Sequence, residues 1–227
     1  MSNSTIVSVE GLQKSFRNGS ITISLFNGLS FDVREGDFVA VTGSSGTGKT
    51  TLMNIIAGLD MPGKGSVKVF GRELSSLDSR RLAAMRAHSM GILFQTFGLV
   101  NDLTIQENIE LALDLSGKKG VAQKRYVHEL LQFFGIRDKA QLTPSSLSFG
   151  EAKKVSMARA LASEPEILLL DEPTGNLDPP SVNVLLPILR GLRHIYGKTI
   201  IMTTNSLRTA TIANRQVHLE KPMITTD

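Results

Sequence analysis

Phe38-Val39-Ala40-Val41-Thr42, running directly into Gly43-Ser44-Ser45-Gly46-Thr47-Gly48-Lys49-Thr50-Thr51, is the stretch on which the reading of this chain turns. The apolar run reads as a buried strand, and residues 43–50 satisfy G-x-x-x-x-G-K-[ST] at its carboxyl end. A helix follows from Lys49 to about Gly58, where a glycine closes it. The glycines let backbone amides turn inward around phosphate oxygens, and the helix amino end adds its positive pole. Lys49 then reaches the β- and γ-phosphates of a nucleoside triphosphate, and the Thr50 hydroxyl holds Mg²⁺. The plainer alternative is a tight glycine turn with a chance lysine.

Further along, Glu166-Ile167-Leu168-Leu169-Leu170-Asp171-Glu172 is an apolar strand ending in two carboxylates. In a parallel sheet they stand at the carboxyl edge, where ligands bind. Asp171 is placed to bind Mg²⁺, directly or through water, and Glu172 to polarise an attacking water as general base. The plainer alternative for this pair is capping of the following turn.

Around these two motifs the chain alternates strand and helix. Residues 6–9, 21–26 and 29–33 read as strands, with turns at 17–19 and 35–37. Residues 66–70 read as another strand and 79–87 as a basic helix. From about 96 to 163 the character becomes helical: Thr104 to Glu107 is a capping box, and a helix over 121–134 ends at Gly135. Strands return at 167–170 and 199–203, with a helix after Asp178 and Pro179 and a kink or early break expected at Pro187. Alternation at both ends implies a mostly parallel sheet covered by helices.

Composition narrows the function. No apolar run approaches the roughly 18–20 residues that cross a bilayer, and Met1-Ser2-Asn3-Ser4-Thr5 lacks a leader pattern, so the chain is expected in the cytoplasm. With no cysteine there are neither disulfides nor thiolate metal sites. The net charge of +4 is spread along the chain, and the pairs Lys118-Lys119, Lys124-Arg125 and Lys153-Lys154 read as solvated helix faces rather than a nucleic-acid groove. Aromatics at 5% and the lack of tryptophan leave no base-stacking platform.

Leu147-Ser148-Phe149-Gly150-Glu151, upstream of Asp171-Glu172, resembles the ABC signature L-S-G-G-Q. Gln95 in Ile92-Leu93-Phe94-Gln95 matches the family's Q-loop, and Gly175-Asn176-Leu177-Asp178 its D-loop. The order covers nearly the whole chain, which therefore resembles an ABC transporter ATP-binding subunit. Residues 52–60, 91–95 and 171–178 look most like the lipoprotein-releasing and macrolide-exporting ATPases, which work as mechanotransmitters or as extractors on lipids, lipoproteins or peptides.

The resemblance implies an α/β P-loop NTPase fold of ABC type: a single nucleotide-binding domain over 1–227, with an amino-terminal antiparallel β lobe and a helical subdomain inserted at about 97–163. It implies ATP and Mg²⁺ as ligands and a head-to-tail dimer, homomeric or heteromeric, with two ATPs sandwiched between cassettes. The phosphate loop residues Gly43 to Thr51 of one chain would face Ser148, Gly150 and Asp178 of the other. Ser148 suits this as a helix cap whose helix end faces the γ-phosphate, although Ser148 to Glu151 is a capping box whatever it faces. Phe16 sits where the family stacks an aromatic on adenine, a core phenylalanine being the alternative. Gln95 would touch Mg²⁺ or the attacking water and relay nucleotide state to an integral membrane permease, whose coupling helix would dock on residues 96–103 from the cytoplasmic face of the membrane.

Two departures bear on the activity. The family's switch histidine after the strand 199–203 is Asn205 here, which can donate a hydrogen bond but carries no charge and passes no proton. Losing one transition-state contact costs about a hundredfold or more in rate. Phe149 replaces a signature glycine, and Glu151 replaces glutamine, setting an acid near an anionic ligand. With Glu172 kept, slow or partner-dependent hydrolysis is expected, with asymmetric sites in a heterodimer as one form of it. A regulatory subunit that closes on ATP with little or no cleavage is the alternative. A soluble ABC ATPase on nucleic acid is disfavoured by the single compact cassette, and no nucleic-acid partner is expected.

Overall fold

A computed structural model describes residues 4–118 and 120–226. Residues 1–3 of the stretch read for a leader pattern and Lys119 of one basic pair lie outside them, as does Asp227. The strands are β1 (Thr5–Asn18), β2 (Ile21–Arg34), β3 (Phe38–Thr42), β4 (Lys64–Val69), β5 (Arg72–Glu73), β6 (Met90–Leu93), β7 (Ile167–Asp171), β8 (Thr199–Thr204), β9 (Arg215–His218) and β10 (Met223–Thr226). The helices are α1 (Lys49–Ile56), α2 (Ser79–Ser89), α3 (Ile105–Leu115), α4 (Val121–Phe133), α5 (Phe149–Ala162), α6 (Pro179–His194) and α7 (Leu207–Ala210).

Two sheets result. The antiparallel lobe has the order β10-β2-β1-β4-β5, and the core sheet, wholly parallel, the order β6-β7-β8-β3-β9. The central strands β3, β7 and β8 are buried along their whole length and mostly apolar, because both faces are covered, with polar residues gathered at their ends. Their alternation sorts side chains into two buried clusters. Val39, Val41, Ile167, Leu169 and Ile201 face α1, α2 and the β lobe, whereas Phe38, Ala40, Leu168, Leu170, Ile200 and Met202 face α3 to α6. Burying both faces sets the carboxyl ends of β3 and β7 side by side across β8, which is where the phosphate loop and the paired carboxylates emerge.

The structure departs from the sequence reading at several elements, β2 and α6 among them. Residues 21–26 and 29–33 form one strand, β2, because the ladder with β1 continues through several register shifts instead of ending at Asn27-Gly28. Pro187 does not break α6, which runs on to His194. Leu185, Leu186, Leu189 and Leu192 are buried while Pro187 is exposed, so burial of the apolar face outweighs the lost backbone bond. Among the described residues no helix is long and apolar enough to cross a membrane.

Candidate functional site

The phosphate loop takes its shape partly from glycines set close against their neighbours. A Cβ on Gly43 would lie 2.6 Å from Thr47 Oγ1, and Gly48, the α1 cap at φ 92°, would drive one to 3.0 Å from the Phe26 ring. No side chain caps α1, so its first amides stay available to an anion. Thr47 Oγ1 donates to the Ser44 carbonyl at 3.0 Å and locks the turn. The buried Lys49 ammonium donates to the carbonyls of Gly43 at 2.9 Å and Ser44 at 3.1 Å.

The carboxylates of β7 meet this loop. Thr50 Oγ1 donates to Asp171 Oδ2 at 2.7 Å, and Thr203 Oγ1 to Asp171 Oδ1 at 2.5 Å. Glu172 Oε1 lies 3.5 Å from Lys49 Nζ, and the Asn205 amide donates to Oε2 at 3.4 Å. Glu172 has a left-handed backbone, φ 47°, with its N–H donating to Thr203 Oγ1 at 2.9 Å. A cleft of about 370 Å³ opens here, lined by Ser45, Gly46, Gly48, Lys49, Thr50, Thr51, Gln95, Phe149, Lys153, Glu172, Gly175, Asn176 and Asn205.

These residues fit a nucleotide-bound Mg²⁺ and not a protein cage. Among the described residues no cluster of three or more His, Cys, Asp or Glu could hold a metal. Thr50 and Asp171 offer two hard oxygens in mutual contact, which is what Mg²⁺ requires when phosphates and water complete its shell.

Other candidates lie elsewhere. Phe16 is 47% exposed on the β lobe, outside the cleft lining, with Lys14 Nζ 5.3 Å from its ring centroid. Ser148 caps α5 in a full capping box with Glu151, and Asp178 caps α6, accepting from the Ser181 amide at 3.3 Å. Gly150 follows Ser148 in the first turn of α5. None of these three lines the cleft of its own chain. Glu151 is ion-paired with Lys139, which draws its carboxyl down to about 2, helped by the Ser148 amide.

Sequence reading missed Lys153, taken as part of a solvated basic face. Lys153 is instead 3% exposed, lines the cleft and donates to the Glu172 carbonyl at 3.0 Å; burial lowers its pKa. Lys153 lies on the buried face of α5, whereas its neighbour Lys154 is only half-buried. Asn108 was missed as well. Fully buried, it accepts from the Val100 amide at 2.8 Å and donates to the carbonyls of Val100, Leu103 and Thr104, fixing the loop beyond Gln95.

A loop that cradles phosphate, with a hydroxyl–carboxylate pair and a second carboxylate beside it, defines a nucleoside-triphosphate-binding cassette. The family model described as ABC transporter matches residues 26–175. An uncharacterized ABC transporter ATP-binding protein of Thermotoga maritima is 41% identical over 189 residues, covering 83% of this chain and 80% of the relative. A macrolide export ATP-binding/permease protein MacB of Mannheimia succiniciproducens is 40% identical over 98% of this chain, which spans only 34% of that relative's length. Among solved structures, the ATP-binding cassette MJ0796 in a dimeric post-hydrolysis state bound to ADP and Pi superposes with a TM-score of 0.90 at 30% identity, over 97% of this chain and 98% of that one. The chain belongs to the ABC transporter family and is one of its ATP-binding cassettes.

Proposed function

We propose that this cassette binds MgATP at the cleft between the phosphate loop and β7, hydrolyses it slowly, and transmits the cycle to a separate membrane permease. The observation that carries the reading is the convergence of Lys49, Thr50, Asp171 and Glu172, within 3.5 Å of one another in contacting pairs. On binding, the Lys49 ammonium leaves the carbonyls of Gly43 and Ser44 for the β- and γ-phosphates, and the loop amides take the remaining oxygens. Thr50 and Asp171 would hold Mg²⁺, which when bound would neutralise charge on the phosphates. Glu172 orients and deprotonates the attacking water, Gln95 completes its shell from the loop after β6, and Asn205 donates toward the γ-phosphate in place of the family histidine. Phe16 stacks on adenine.

The second half of each site comes from another cassette. Ser148, Gly150 and Asp178 stand at the starts of α5 and α6 and do not line their own chain's cleft, which supports their facing a partner's nucleotide. The helical segment of about 97–163 works as the subdomain that carries the signature, within a single nucleotide-binding domain. The groove formed by Leu99, Asn101, Pro144 and Leu147 beside Phe97 receives a permease coupling helix at the cytoplasmic face of the membrane. Relatives named for macrolide export favour export or extraction of an amphiphile such as a macrolide, lipid, lipoprotein or peptide.

Fluorescent-nucleotide titration and mass measurement test this. Glu172→Gln should bind ATP in an Mg²⁺-dependent manner and double its mass, alone or with its cognate second cassette. Lys49→Ala should bind at least about tenfold more weakly, since it loses a charge-assisted contact. Binding that ignores Lys49 contradicts the proposal.

A further inference from the structure

One face of α5 carries Phe149, Lys153, Ser156 and Arg159, at spacings that line side chains along a helix. Arg159 donates to the carbonyls of Gly98 at 2.5 Å and Phe97 at 2.8 Å, and Ser156 Oγ to that of Phe97 at 3.2 Å. The Phe149 ring meets the Phe97 ring edge-on, with centroids 4.7 Å apart. Lys153 Nζ lies 5.6 Å from the Phe149 centroid and 5.9 Å from that of Phe97, and it donates to the Glu172 carbonyl.

Glu172 depends on being held. A non-glycine residue keeps a left-handed backbone only where its surroundings over-determine it. Thr203 holds its N–H, while the Gly175 amide at 3.0 Å and Lys153 hold its carbonyl. Of these three partners, Lys153 alone comes from the helix that begins with the signature. A buried ammonium gives up hydration, and two ring faces return part of it electrostatically. Glycine at 149 would remove one of those rings.

We propose that Phe149 is a positioning residue for Glu172 of its own chain, acting through Lys153. The ring seats the ammonium, the ammonium fixes the Glu172 carbonyl, and the start of α5 is thereby tied to the general base. Phe149 is thus a working substitute for the signature glycine and not a defect. The inference rests on the reading of Glu172 as base.

Steady-state ATPase rates of Lys153→Met, Lys153→Arg, Phe149→Gly and the Phe149→Gly/Lys153→Met double variant test it. Lys153→Met and Phe149→Gly should each lower kcat about tenfold with KM changed less than about twofold, since a displaced base loses rate and not binding. Arginine should restore most of the loss, and the double variant should be no slower than the worse single one. Equal rates for Arg and Met, additive losses, or a rise in KM alone would overturn the proposal. Should wild type bind ATP without hydrolysing it faster than Glu172→Gln, the base reading fails separately. Amide exchange over residues 172–176 in nucleotide-free protein then decides whether the tie itself exists. It should speed up about tenfold in both single variants while α1 is unchanged, and unaltered exchange would overturn the tie.

Discussion

Glu151 stands where the signature resemblance supplies glutamine, and an acid at that place opposes an anionic ligand. Its charge is answered within the chain by Lys139, which, with the Ser148 amide, holds the carboxyl at about 2. A carboxyl depressed below its unfolded value near 4.3 contributes stability that is complete above that value and disappears as pH falls toward 2. In an NMR titration Glu151 should therefore move near pH 2 in wild type and at a higher pH in Lys139→Ala. An ordinary glutamate value in wild type would contradict the pairing. Residues of this kind were only partly legible. The phosphate loop and Asp171-Glu172 could be read because their chemistry is fixed by local order along the chain. Lys139 is separated from Glu151 by twelve positions and the 3-10 turn Pro144–Ser146, so only the fold brings them together. Lys153 was hidden by its neighbour, since a lysine pair looks solvated until one member is known to face inward.

Element boundaries followed the local chemistry where a cap or glycine marked them. The Thr104 capping box starts α3, Asp178 and Pro179 start α6, and Gly135 stops α4 at φ 65°. β9 and β10 were not legible, since Arg215-Gln216-Val217-His218 alternates without a strong apolar run and exists by pairing with β3. β10 likewise exists by closing the edge of the β lobe against β2. The two capping boxes offer a comparison. Thr104→Ala and Ser148→Ala should each cost about 1 kcal/mol in urea unfolding, the usual worth of a cap. Only Ser148→Ala should also slow ATP hydrolysis, by at least about tenfold if it contacts the γ-phosphate of a partner's nucleotide. Equal activity in the two variants would reduce Ser148 to a cap.

At the scale of the whole molecule, a sheet buried on both faces brings two distant stretches to one edge, and the chemistry is concentrated there. Three strands set the geometry: β3 delivers Lys49 and Thr50, β7 delivers Asp171 and Glu172, and β8 between them delivers Thr203 and Asn205. Asn205 reaches Glu172 through its backbone amide, so that contact survives the replacement of the family histidine; what is lost is the charge and reach of the side chain. A slow motor and not a dead one is therefore expected. The most direct measurement is the steady-state MgATPase rate of wild type beside Glu172→Gln and Asn205→His, with the cognate partners present. Wild type should turn over above the Glu172→Gln blank, and Asn205→His should raise the rate at least about tenfold. Wild type that binds ATP yet matches Glu172→Gln in rate would contradict hydrolysis at this site and leave a cassette that only closes on its nucleotide.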